Sequence, residues 1–272
     1  MSRVIVLSWT LLALAPALTF GADVPAASKL SAATIVERNV AARGGLAGWQ
    51  AVHTLSWSGK LEAGGNNQRS MKAPGMPTPP PVKDPNAQVQ LPFAMEMKRG
   101  HQSRLEIVFN GQTAVQVYDG THGWKVRPFL NRNDVETYTP EELKMAANAA
   151  DLDGLLIDYA AKGTKIDVEG MEPVEGKQAY KLKVTLKNNH VTNVWVDAQS
   201  FLEVKIEGAP RRLDGKLHTA AVFLRDYRKV DGLQIPFLIE TNVQGVQRTE
   251  KIQIEKVVVN PRLDDSRFAK PS

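Results

Sequence analysis

The chain has 272 residues, a formal net charge of +5 and no cysteine. The absence of cysteine excludes disulfides, thiolate metal sites and cysteine nucleophiles, so stability must come from the hydrophobic core. The basic residues are scattered along the chain, which argues against a nucleic-acid-binding surface. After a leader, about 250 residues remain, a length compatible with a single domain of an all-β class.

The first residues have the pattern of a secretory signal peptide. Arg3 supplies a positive start, residues 4–14 are almost purely apolar, and Pro16 precedes small residues that end at Ala22. A membrane-spanning helix needs about 20 consecutive apolar residues, so we expect residues 1–22 to be cleaved. No cysteine follows that could carry a lipid anchor. The sequence therefore predicts export as a soluble protein.

An amphipathic helix is expected over residues 31–43. Ser31 is a suitable N-cap, and Ile35, Val36 and Val40 recur on one face. Gly44 and Gly45 follow the last turn, where glycine commonly ends a helix.

From His53 onward, apolar and polar residues alternate with a period of two. Leu105, Ile107 and Phe109, for example, are separated by Glu106 and Val108. This pattern is typical of antiparallel strands with one apolar face. The pairs Asn110-Gly111, Asn188-Asn189 and Asp231-Gly232 predict hairpin turns, and we expect roughly ten or eleven strands.

Two stretches interrupt the alternation. Residues 63–92 are rich in Pro and Gly and predict a long loop, either a gate or a surface excursion. Residues 139–162 are predicted to be helical, with Thr139-Pro140 at the start.

Sequence motifs for catalysis and for cofactors are missing. None of the five histidines has a partner at metal-site spacing, and no nucleophile elbow, phosphate loop or dinucleotide fingerprint occurs. Asp151, Asp153 and Asp158 form an acidic cluster that is compatible with acid–base chemistry but better explained by helix capping. We therefore expect no metal, no cofactor and no enzymatic activity.

Bulky apolar side chains are abundant on the predicted strands. A sheet of this size has a large apolar face that must be covered, and two short helical segments cover it incompletely. The remaining concave surface is a candidate binding site for an apolar ligand.

Three stretches together resemble one known family. They are residues 41–45 with Gly48-Trp49, residues 117–120 with Gly123-Trp124, and residues 226–237 followed by Asn260-Pro261. Their order and spacing resemble the LolA/LolB-like outer-membrane lipoprotein-sorting superfamily of Gram-negative bacteria, in its divergent branch.

The resemblance implies a mainly β fold: a strongly curved antiparallel sheet of about 11 strands, a half-open barrel, with helices plugging its concave face. Residues 23–272 would form a single lipid-binding domain in the periplasm. The expected cargo is a lipid or an acylated lipoprotein, with an inner-membrane transporter as donor, an outer-membrane acceptor and only transient membrane contact. The candidate residues for the apolar concavity are Trp57, Met95, Met97, Leu105, Ile107, Phe109, Val115, Val117, Trp124, Leu155, Leu156, Trp195 and Phe223.

Three functions remain open on the sequence alone. The first is a carrier that shelters acyl chains during transfer towards the outer membrane. The second is a sensor or scaffold that binds lipid and acts through a protein partner. The third is a hydrolase that uses Asp or His near Gly123.

Overall fold

Thirteen antiparallel strands form a single sheet in the computed structural model, which describes residues 30–64, 88–213, 215–247 and 249–271. The strands are β1 (Thr54–Gly64), β2 (Gln88–Lys98), β3 (Gln102–Phe109), β4 (Gln112–Tyr118), β5 (Gly123–Arg127), β6 (Arg132–Thr137), β7 (Lys165–Val174), β8 (Lys177–Thr185), β9 (Val191–Asp197), β10 (Glu203–Leu213), β11 (Lys216–Val230), β12 (Leu233–Val243) and β13 (Glu250–Val259). The helices are α1 (Ala32–Ala42), α2 (Leu46–Gln50) and α3 (Pro140–Ala149), with short 3₁₀ turns at Pro128–Leu130 and Asp265–Phe268. The predicted leader, residues 1–22, lies outside the described residues.

The chain runs through the sheet as two meanders. Strands β1 to β6 proceed from the centre to one edge, the chain crosses to the opposite edge through α3 and residues 150–164, and β7 to β13 return to the centre, where β13 pairs with β1. The sheet is not closed, since β6 and β7 are its two edges. The predicted fold class is confirmed, with thirteen strands where about eleven were expected.

The local signals at α1 and at the hairpins act as expected. The Ser31 hydroxyl accepts a hydrogen bond from the Thr34 amide, and α1 ends before Gly44, whose φ is +112°. Asn110 and Gly111 both have positive φ, as do Asp231 and Gly232, which is the conformation that two-residue hairpins need.

The predicted loop at 63–92 was too long. β1 continues to Gly64 and β2 begins at Gln88, so Pro92 lies within a strand. Pairing between β2 and β3 extends only as far as Phe93 with Ile107, so Pro92 has a strand partner only on the β1 side, where it lies opposite Lys60. The rest of that segment, residues 65–87, lies outside the described residues.

The predicted helix at 139–162 is helical only in its first part. α3 ends at Ala149, and residues 150–164 form a series of turns. Gly154 and Asp158 have positive φ, which a helix excludes, and Asp153 is held by Arg99 of the β2–β3 turn at 2.8 Å. Tertiary ion pairing therefore overrides the helical pattern here.

The strand registers define two faces of the sheet. Leu55 pairs with Met97 and Trp57 with Met95, and directly paired residues of antiparallel strands point to the same side. We call this side the inner face, because α2 and the crossover residues pack against it through Trp49, Val52, Leu152 and Ile157. The other side is the outer face.

Helix α3 contacts both halves of the sheet through its side chains. Lys125 of β5 pairs with Glu142 of α3, while Asn148 at the other end of α3 hydrogen-bonds Asn188 in the β8–β9 turn at 2.8 Å. One ten-residue helix thus touches both meanders, which requires the sheet to curve around it.

Candidate ligand-binding face

Burial on the inner face varies from residue to residue. The sheet has a helix end, where β1 and β12 begin, and a tip end, which carries the β3–β4, β5–β6, β8–β9, β10–β11 and β12–β13 turns. Some residues of this face are buried, both near the helix end, where Leu55, Leu233 and Ile235 are each 3% exposed or less, and further along the strands, where Phe93 and Ile254 are buried. Other apolar residues of the inner face are partly exposed: Trp57, Leu61, Leu91, Met95, Ile239 and Ile252.

The partly exposed residues form one apolar surface on the inner face. Met95 pairs with Leu105 and Phe93 with Ile107, so β2 and β3 contribute to it side by side with β1. β13 and β12 extend it through Ile252, which pairs with both Leu61 and Ile239. We take this surface on the inner face as the candidate site.

Six of the sequence-predicted residues lie on the inner face: Trp57, Met95, Met97, Leu105, Ile107 and Phe109. Met97 is only 3% exposed and packs in the core at the helix end, so it is a structural residue in this conformation. The other five are partly exposed, and the Phe109 ring packs edge-on against Phe129 at a centroid distance of 5.9 Å.

Five other predicted residues point away from the candidate site. The register of β3, β4 and β5 places Val115, Val117 and Trp124 on the outer face. Trp195 and Phe223 also lie on the outer face, in a separate apolar cluster with Val174 and Ala179. A period-two pattern shows that a strand has two faces, but only the register between strands shows which faces coincide.

The two leucines of the crossover have a packing role. Leu156 is completely buried and Leu155 is half-buried, both within the turns that follow α3. Sequence reasoning did not name Leu61, Leu91, Ile239 and Ile252, although Leu61 and Ile252 have polar neighbours on both sides and carried the required signal.

The indole nitrogen of Trp57 is enclosed by the protein. Trp57 Nε1 is buried and has no hydrogen-bond partner among the described residues. A buried unpaired N–H is costly, and a ligand on the inner face would contact the apolar part of this ring and not its nitrogen.

A buried charged cluster supports the helix end. The Arg43 guanidinium contacts both Glu203 oxygens, at 3.0 and 3.1 Å, and stacks over the Trp49 ring at 4.5 Å. Tyr227 donates to the Glu203 backbone oxygen at 2.9 Å, and burial together with the nearby Glu203 carboxylate raises the Tyr227 pKa well above 10.0. These contacts tie α1 to β10 and β11.

Two cavities lined by described residues lie elsewhere. The first, of about 440 Å³, lies beside Glu169, Met171 and Lys181 of β7 and β8. The second, of about 220 Å³, lies beside Val174, Asp197 and Arg225. Neither includes a residue of the candidate site.

Within the described ranges, no group of three or more His, Asp or Glu residues is placed to hold a metal ion. In the same ranges, no helix has the length and apolarity to span a membrane.

By sequence, the chain matches no family model and no curated protein. By structure, it resembles a LolA superfamily protein from Nitrosomonas europaea with a TM-score of 0.54 and 13% identity, over 89% of this chain and 98% of that one. A DUF1329 family protein from Desulfovibrio piger matches with a TM-score of 0.54 and 15% identity, over 87% and 96% of the two chains. A putative outer membrane lipoprotein-sorting protein domain from Vibrio parahaemolyticus matches with a TM-score of 0.51 and 11% identity, over 87% and 95%. The resemblance predicted from the sequence is therefore confirmed at the level of the fold, which this chain shares with LolA superfamily proteins.

Proposed function

We propose that the protein is a periplasmic carrier that binds a lipid, or the acyl chains of a lipoprotein, on its inner face. It releases this cargo toward the outer membrane without covalent chemistry. The observation that carries the proposal is the set of apolar side chains on the inner face that remain partly exposed, among them Trp57, Met95 and Ile107.

The energetics suit a reversible carrier. Burying an acyl chain yields about 0.8 kcal/mol per methylene group, so contact with part of a chain gives useful affinity. The fold shared with a lipoprotein-sorting protein domain supports the same role.

The test compares neighbouring residues on opposite faces of β3. Ile107 faces the candidate site, whereas Val108 lies on the outer face and is exposed. We expect Ile107→Asp to weaken binding of a fluorescent fatty acid by at least about tenfold, because a carboxylate placed against an acyl chain is desolvated without a partner. Val108→Asp should bind as the wild-type protein does.

A third variant separates binding from folding. Met97→Asp places a charge in the packed core and should lower the free energy of unfolding strongly, whereas Ile107→Asp should retain most of it in urea titrations. Failure of the wild-type protein to take up fatty acid or lipopeptide would disprove the carrier role. If Ile107→Asp binds as well as the wild-type protein, the ligand does not contact Ile107 and the binding site lies elsewhere on the protein.

A further inference from the structure

The β10–β11 hairpin extends beyond both of its neighbours. Pairing of β10 with β9 ends at Ile206, and pairing of β11 with β12 ends at Ala220. Residues 211–213 and 216–218 have strand partners only in each other, so they form a two-stranded ribbon at the tip end. The ribbon is braced on one side, where the His218 ring hydrogen-bonds the Gln244 carbonyl oxygen at 2.9 Å and Arg211 pairs with Glu250.

An exposed leucine lies on this ribbon. Leu217 is 64% exposed, the highest value among the large apolar residues of the described chain. Further exposed apolar side chains occur around the same end: Val89 at the start of β2, Leu130 in the β5–β6 turn and Val191 at the start of β9. Exposed apolar groups at one end of a protein are typical of an interaction surface.

Basic residues are concentrated at the tip end of the sheet. The turns of the tip end and their flanks carry the basic residues Arg127, Arg132, Lys187, Arg211, Arg212 and Lys216. Glu136 pairs with Arg127 and Arg132, and Glu250 pairs with Arg211, so these two carboxylates offset only part of the positive charge. Asp214 and Arg248, which belong to the same turns by sequence, cancel in formal charge. At the helix end the corresponding positions hold acids and bases together: Asp119, Glu175, Asp197, Glu203 and Asp231 beside Lys98, Arg99, Lys177, Arg228 and Lys229.

From this arrangement we infer that the tip end docks on the surface of an anionic lipid bilayer. Arg212 and Lys216 approach the lipid phosphates while Leu217 enters the interface between headgroups and acyl chains. Basic side chains near such a surface each contribute about 1 kcal/mol, and exposed apolar side chains add burial on contact. Charge complementarity is the reason to choose a bilayer as the occupant.

The inferred surface extends the proposed function, because the apolar inner face reaches the same end of the sheet through Leu61 and Leu91. Docking there would bring the apolar side chains of Leu61 and Leu91 next to the lipid phase. Cargo would then pass between bilayer and protein along a short path, without crossing the packed helix end.

Co-sedimentation with vesicles tests the inference without any cargo. The vesicles contain phosphatidylcholine, alone or with about 30 mol% phosphatidylglycerol, a fraction that gives a negative surface potential. We expect the wild-type protein to bind only the anionic vesicles and to bind less as salt is raised. The double variant Arg212→Gln/Lys216→Gln should bind at least about tenfold more weakly, and Leu217→Ser should lose the part of the binding that salt does not screen.

Matched variants at the helix end serve as controls. Lys229→Gln/Arg262→Gln removes two exposed basic groups there, and Leu46→Ser removes a leucine that is 39% exposed. Both should bind anionic vesicles as the wild-type protein does. Equal loss in the controls, or no preference of the wild-type protein for anionic vesicles, would overturn the inference.

The two proposals fail separately. Uptake of fatty acid without vesicle binding would support the carrier role and contradict the docking surface. Vesicle binding without uptake of fatty acid would support the docking surface and contradict the carrier role.

Discussion

The contact between Arg43 and Glu203 illustrates how a single pair of residues fixes the position of a helix. Arg43 follows α1, Glu203 begins β10, and their side chains are 10% and 5% exposed. The sequence marks Arg43 only as the last residue of an expected amphipathic helix. Its partner is 160 residues away, and a period-two pattern carries no information about long-range pairing.

We expect Glu203→Leu to lower the free energy of unfolding by about 3–5 kcal/mol, because the Arg43 charge would remain buried without its partner. The double variant Arg43→Met/Glu203→Leu should be more stable than Glu203→Leu alone, since it removes both charges. Urea unfolding of the wild-type protein, Glu203→Leu, Arg43→Met and the double variant measures the difference. A double variant whose loss equals the sum of the single losses would show that the two residues act independently.

The candidate site was predictable residue by residue only in part. Alternation correctly identified Met95, Leu105 and Ile107 as members of one apolar face. It could not separate them from Val117, which lies on the other side of the sheet, and it says nothing of Trp195, whose neighbours Val194 and Val196 are also apolar. Side-chain type indicates that a residue is apolar, whereas strand register decides what it faces.

Among the elements, α3 shows best how local and tertiary signals combine. Thr139 and Glu142 form a capping box: the Glu142 amide donates to the Thr139 hydroxyl at 3.2 Å, and the Thr139 amide donates to the Glu142 carboxylate at 2.9 Å. Glu142 also pairs with Lys125, whose side chain is 9% exposed. The start of the helix follows from sequence, but its end does not, because the Arg99–Asp153 pair that redirects the chain is tertiary.

The Glu142 carboxylate should make the attachment of α3 pH-dependent. Burial opposes its ionisation, but hydrogen bonds from Lys125 and from the Thr139 amide outweigh burial and lower its pKa below the ordinary 4.5. A lowered pKa contributes stability above the unfolded value, and that stability is lost as the pH falls through the folded value. Thermal melts should therefore show Glu142→Gln less stable than the wild-type protein at pH 7 and nearly equal to it at about pH 3. A constant difference across this range would exclude the ionised carboxylate as the cause.

At the scale of the whole molecule, curvature brings distant parts of the sheet together around α3. The meander and its hairpins were predictable, because Asn110-Gly111 and Asp231-Gly232 are strong local signals. The pairing of β1 with β13, and the crossover from β6 to β7, are long-range features that local signals do not encode.

Introduced cysteines can test this curvature, because the chain has none of its own. We expect Asn148→Cys/Asn188→Cys to be joined efficiently by a short bis-maleimide, since the two native side chains lie 2.8 Å apart. Asn148→Cys/Asn193→Cys serves as the control, because Asn193 lies on the outer face and hydrogen-bonds Glu207 there. Cleavage with protease followed by electrophoresis detects the cross-link. Equal yields from the two pairs would contradict the arrangement around α3.

The position of the β1–β13 seam has a consequence for the order of folding. The first and last strands of the sheet are neighbours, and Asn260, just after β13, hydrogen-bonds the His53 amide just before β1 at 2.7 Å. A chain made from its N-terminus can assemble the meander of β1 to β6 early, since its contacts are local. Until β13 arrives, β1 presents eleven residues of unpaired backbone at an edge, a template for pairing with other chains. The period before the last strand is complete is therefore when this protein most needs protection from aggregation.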